Sequence, residues 1–102
     1  MNIINEKEEC FETEMGVPTL TIELAKEQRM ISYAGFRDAV LKGNNITISF
    51  ISWNVIIRGE SLLALWQQLQ LLDVRVIRCS DSSIEAECSI SQIEMLENDD
   101  DF

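Results

Sequence analysis

The stretch from Asn45 to Arg78 constrains the fold more than any other, because it strings together two strand-like runs, a helix start and a third strand-like run. In Asn45 to Ile51, Ile46, Ile48 and Phe50 alternate with Thr47 and Ser49, the period of a strand with one buried face. The next run, Asn54 to Arg58, is apolar on both faces and predicts a more interior strand. Gly59 then releases the chain, and Ser61 is positioned to accept a hydrogen bond from a free N–H in the first helical turn, with Glu60 near the positive helix end. At about 100° per residue, Leu62, Leu65, Trp66, Leu69 and Leu72 fall within an arc of about 120°, which predicts a core-facing stripe. Gln67, Gln68 and Gln70 lie off that stripe, as do Leu63 and Leu71, the first hint of a second surface.

The flanks read as further strands. Leu20, Ile22 and Leu24 alternate with Thr19, Thr21 and Glu23 behind Pro18, which predicts a half-polar strand at a sheet edge. Met30 and Ser32 should point to one side of a short strand and Ile31 and Tyr33 to the other. After Gly35, the spacing of Phe36, Ala39 and Val40 predicts one or two helical turns, with a bent continuation of the preceding strand as the alternative. Val74 and Val76 predict a strand. Ile84, Ala86, Cys88 and Ile90 predict another, and a hairpin between the two would set Val76 against Ala86, Val74 against Cys88 and Arg75 against Glu87, with Cys79 in the turn and not bonded to Cys88. The alternation slips near Gln92, where a bulge or strand end is due.

At 102 residues the chain has room for one core. Residues 1–16 read as an acidic mobile arm, 17–96 as a single domain and 97–102 as an acidic disordered tail. The expected class is α+β: a small, mostly antiparallel sheet of about five or six strands with one main amphipathic helix on one face. No apolar run approaches the roughly 18 residues that span a bilayer, and no basic start precedes an apolar stretch, so neither membrane insertion nor secretion is expected. Cys10, Cys79 and Cys88, odd in number and scattered, suit a reducing, cytoplasmic setting better than a disulfide framework.

The net charge of −10 is uneven. Residues 1–29 carry seven acids and three bases, 30–80 three acids and five bases, and 81–102 eight acids and no base. No basic patch is available to neutralise phosphates, which excludes direct nucleic-acid binding and disfavours anionic membranes. Histidine is absent, removing the commonest general base and metal ligand. The cysteine intervals fit no zinc site, and the four glycines form no phosphate-cradling loop. Cys88 reads as a small apolar side chain, and Cys10 as an exposed thiol among glutamates that oppose its ionisation. Leu63 stands where a nucleophile elbow at Ser61 needs glycine. No catalytic residue, metal or cofactor is expected.

What remains is Trp53 near a hairpin turn, and with Leu63 and Leu71 it makes the one suggestive constellation, a candidate partner-binding surface. The expected role is a non-enzymatic module that binds a protein partner or itself, most simply as a homodimer through a free sheet edge or the outer helix face. Two rival readings are an acidic inhibitor or immunity-type protein mimicking nucleic-acid charge, and a small-ligand-binding domain beneath the helix.

Overall fold

The computed structural model describes residues 10–80 and 88–98. Among these residues the chain is mostly β, with two sheets and one α-helix. Strands β1 (Phe11–Thr13), β2 (Thr19–Glu23) and β3 (Gln28–Ser32) lead through a short 3-10 turn, Tyr33–Gly35, into β4 (Phe36–Lys42), β5 (Asn45–Phe50) and β6 (Trp53–Glu60). Helix α1 (Leu63–Leu69), β7 (Val74–Arg78) and β8 (Ser89–Glu97) complete the order. In place of a single sheet, the strands divide into two four-stranded sheets, β1-β7-β2-β3 and β4-β5-β6-β8. One core unites them: Leu20 and Ile22 of β2, Val74 and Ile77 of β7, Ile46, Ile48 and Phe50 of β5, Val55 and Ile57 of β6, and Leu62, Leu65 and Leu69 at the helix.

The β5–β6 pair forms as its alternation requires, with Ile46 opposite Ile57 and Ile48 opposite Val55. β6 is interior, flanked by β5 and β8. Gly59 does not release the chain; it lies within β6, where a Cβ would come 1.9 Å from the Ser89 carbonyl oxygen, so only glycine permits this close approach to β8. Ser61 does not cap the helix either. Its backbone is left-handed (φ 57°), the capping position falls at Leu62 without a side-chain bond, and the helix is shorter at both ends than the Ser61–Leu72 pattern predicts.

Three β-bulges explain most of the other departures. An extra residue between Phe36 and Asp38 in β4 puts Phe36 and Ala39 on one face, opposite Phe50 and Ile48. The three-residue spacing that suggested a helix is therefore a bulged strand, the bent-strand alternative. In β7 the register passes from Thr13 opposite Val74 to Glu12 opposite Val76, so Val74 and Ile77 both reach the core. In β8, Gly59 faces Ile90 while Arg58 faces Gln92, leaving Ser91 as the extra residue at the expected slip.

Pairing partners differ more than element positions do. β2 is not an edge strand: it lies between β3, antiparallel, and β7, parallel. Its polar alternate residues lie on the outer face of the sheet, and Pro18 stands just before the strand, where its carbonyl accepts the Tyr33 N–H at 3.0 Å. β7 pairs with β1 and β2, not with the segment after Ser80, so Val74 faces Thr13 rather than Cys88. The expected contacts of Ala86 and Glu87, and the strand from Ile84, fall outside the described residues. So do residues 1–9 of the expected arm and 99–102 of the expected tail.

The remainder of that arm is not loose. Phe11–Thr13 pairs with β7, Arg78 N–H donates to the Cys10 carbonyl at 2.9 Å, and Cys10 is buried. Cys10 and Cys88 form a disulfide, their Cα atoms 6.4 Å apart and 78 residues apart in sequence. This corrects the reading of both as free thiols and removes the cysteine argument for a reducing compartment. Cys79 is free, as expected, and not bonded to Cys88. Among the described residues no helix is long and apolar enough to cross a membrane.

Candidate functional site

The two sheets meet differently on opposite sides of the molecule, and the contrast locates the site. On the disulfide side, Ser80 and Ile90 exchange two backbone hydrogen bonds of 3.0 Å, joining the end of β7 to β8. Nearby, Arg78, only 8% exposed, donates to Glu12 Oε2 at 2.7 Å and Glu23 Oε1 at 3.1 Å. Arg75 also donates to Glu12. The Arg78 hydrogen bond is the main cause that holds the Glu12 carboxyl below the usual range, with Arg75 adding to it. Arg78 in turn is pushed upward, first by its bond to Glu23.

On the other side the sheets leave a shallow hollow of about 360 Å³ between β3 and the β5–β6 turn. Trp53, Ile51, Phe50, Met30 and Ile31 supply its apolar wall. Met30 is 71% exposed and Ile51 60%. The two-residue turn that presents Ile51 and Trp53 is braced: Ile51 N–H donates to Gly35 O at 2.8 Å, Asn98 N–H to Ser52 O at 2.9 Å, and the Asn98 side chain to Phe50 O at 3.2 Å. The Arg29 guanidinium lies 4.5 Å from the Trp53 ring centroid, and its Nε donates to Glu27 at 3.1 Å. In the turn after β3 the Tyr33 hydroxyl donates to Val74 O at 2.6 Å; burial, then the nearby Asp73 charge, pushes that phenol up. Exposed apolar side chains on a braced backbone are what a protein-docking surface requires.

The three residues singled out from the sequence are not gathered in one cavity. Trp53 lines the hollow, half-buried. Leu63 opens α1 and Leu71 follows it, 57% and 67% exposed, and neither lines a cavity with Trp53. Met30, Ile51 and Arg29 are the residues that sequence reasoning missed. An apolar Met30 on the otherwise polar side of β3 was the available signal.

Other hollows lie among the described residues. One, about 460 Å³, lies between α1 and β4 and is walled by Phe36, Ala39, Trp66, Leu69 and Leu72. Another, about 470 Å³, is polar, with Asn44, Asn45, Arg58, Glu60 and Ser91 around the Gly59 crossing. Desolvation pushes the Cys79 thiol up, which opposes thiolate chemistry. Among the described residues no group of three or more Cys, Asp or Glu side chains is placed to hold a metal ion. No family model matches this chain, and neither a curated protein nor a solved structure matches it.

Proposed function

We propose that this is a non-enzymatic protein-binding module of α+β type whose docking surface is the Trp53 hollow. The observation that carries the reading is the exposure of Met30 and Ile51 beside Trp53 on a turn held by three hydrogen bonds. Such a surface meets a partner with little ordering cost, and an aromatic ring with a stacked arginine is the type of group that anchors an interface. The acidic balance of the chain favours a partner with a basic rim around an apolar centre. Charge mimicry of nucleic acid is less well supported, because Glu12 and Glu23 on the folded surface are already engaged by Arg75 and Arg78.

Capture of partners from lysate by the immobilised full chain tests the reading, at about 0.1 M and about 1 M salt. A stoichiometric protein retained at both salts, and lost with Ile51→Asp, is the expected result. Capture that vanishes at high salt yet survives Ile51→Asp would instead favour charge mimicry.

A further inference from the structure

The four sheet edges are not alike. β1 is three residues long, its ladder with β7 is interrupted by a bulge, and it carries Glu12. β4 is bulged and exposes Arg37, Asp38 and Lys42. β8 is bulged and carries Glu94 and Glu97. Short length, bulges and charges are the devices by which edges avoid pairing with another chain. β3 has none of them along its outward side. Its register against β2 is unbroken from Gln28 to Ser32, and its one charged residue, Arg29, is held against Trp53 and Glu27 of its own chain.

Hydrogen-bond phase shows what this edge offers. Leu24 N–H donates to Glu27 O and Tyr33 N–H to Pro18 O, so these two pairs are hydrogen-bonded positions at either end of the β2–β3 ladder. Strict alternation between them makes Ile22–Arg29 and Leu20–Ile31 hydrogen-bonded pairs as well. The N–H and C=O groups of Gln28, Met30 and Ser32 therefore point away from β2, along an edge that no other strand covers among the described residues.

We infer that β3 is a self-pairing edge: two copies of this chain join antiparallel about a two-fold axis at Met30. This rests on the protein-binding reading and names its partner as a second copy. In that register Met30 meets Met30, and Gln28 meets Ser32 in both directions, so the outward groups of each strand are satisfied by about six hydrogen bonds. Side-chain chemistry is matched across the axis. The exposed methionines face each other at the usual Cα separation of about 5.5 Å, and polar residues face polar residues. On the other face Ile31 of each chain lies against the Arg29 stem that is stacked on Trp53, which extends the contact into the hollow. An isologous interface needs this kind of self-complementarity.

Sedimentation of the full chain across a micromolar concentration series tests the inference, with Cys79→Ser in every sample so that the exposed thiol cannot cross-link copies. The expected result is a monomer–dimer equilibrium whose dissociation constant rises at least tenfold in Met30→Pro, which deletes the outward N–H but no bond to β2. Met30→Lys, which keeps the backbone and opposes two like charges across the axis, should do the same with a melting temperature unchanged at dilutions where both chains are monomeric, and it decides the matter if the proline variant folds poorly. A dimer that persists in Met30→Lys overturns the inference while leaving self-association through another surface. A Cys79→Ser chain with Met30 intact that stays monomeric throughout overturns it too, and the Ile51→Asp capture experiment then judges the protein-binding reading separately.

Discussion

The disulfide side and the Trp53 side of this molecule solve the same problem, the junction of two sheets, in opposite ways. One is fastened by a covalent bond, a reciprocal backbone pair and an arginine shared by two carboxylates. The other is bridged by a cation–π contact and the tilted ring pair Tyr33–Phe50 at 6.4 Å, and it keeps apolar side chains in solvent. Stability should therefore depend on the first side and recognition on the second, which substitutions can separate.

The largest effect is expected from the disulfide. A crosslink between residues 78 apart restricts the unfolded chain by about 4 kcal/mol in the loop-entropy account, so Cys10→Ser with Cys88→Ser should lower the unfolding free energy measured in urea by that amount. Cys79→Ser should leave it unchanged. Gly59→Ala comes next: the added Cβ meets backbone of β8, and overpacking there should cost about 3 kcal/mol in chemical denaturation. A smaller loss would mean that β8 is free to shift at its bulge.

Arg78→Met should cost about 2 kcal/mol, because it takes the guanidinium from Glu23 and leaves Glu12 with Arg75 alone, whereas Arg75→Met, at a more exposed pair, should cost under about 1 kcal/mol. Glu12 adds a pH signature. Its folded pKa is lowered from 4.5, so its contribution is present above that value and is lost as pH falls below 4.5 and through the folded value. In Arg78→Met the acid limb of the stability profile should flatten.

On the open side the effects shrink. Tyr33→Phe removes one hydrogen bond and should cost about 1 kcal/mol. The folded phenol is raised above its ordinary 10.0, so its advantage is full below pH 10 and declines above it as the unfolded chain ionises first; Tyr33→Phe should lack that alkaline decline. Ile51→Asp should change the melting free energy by less than about 0.5 kcal/mol while abolishing capture. Substantial unfolding by Ile51→Asp would erase the proposed division of labour.

The candidate site was half legible. Trp53 stood out because a large aromatic beside a tight turn is hard for its own sheet to cover. Leu63 and Leu71 stood out because helical spacing put them off the stripe, and both are exposed. Met30 and Ile51 did not, since each was one apolar residue in a plausible strand. Their meaning comes from a hollow formed by segments about 20 residues apart.

The sequence by itself determined the elements held by local rules: the β5–β6 pair, the strands at Thr19–Glu23 and Gln28–Ser32, and the buried leucines of α1. Alternation and helical spacing act over a few residues and can be read one residue at a time. Only the tertiary structure decided that β7 joins β1 and β2, that β8 joins β6, and that Cys10 meets Cys88. Those pairings join segments far apart in the chain, and many partners offer the same alternating faces. The three bulges hid them further, because one extra residue turns a strand's two-residue period into a three-residue step that imitates a helix or a strand end. Which register wins is set by the summed burial of one shared core, a quantity that no single stretch contains.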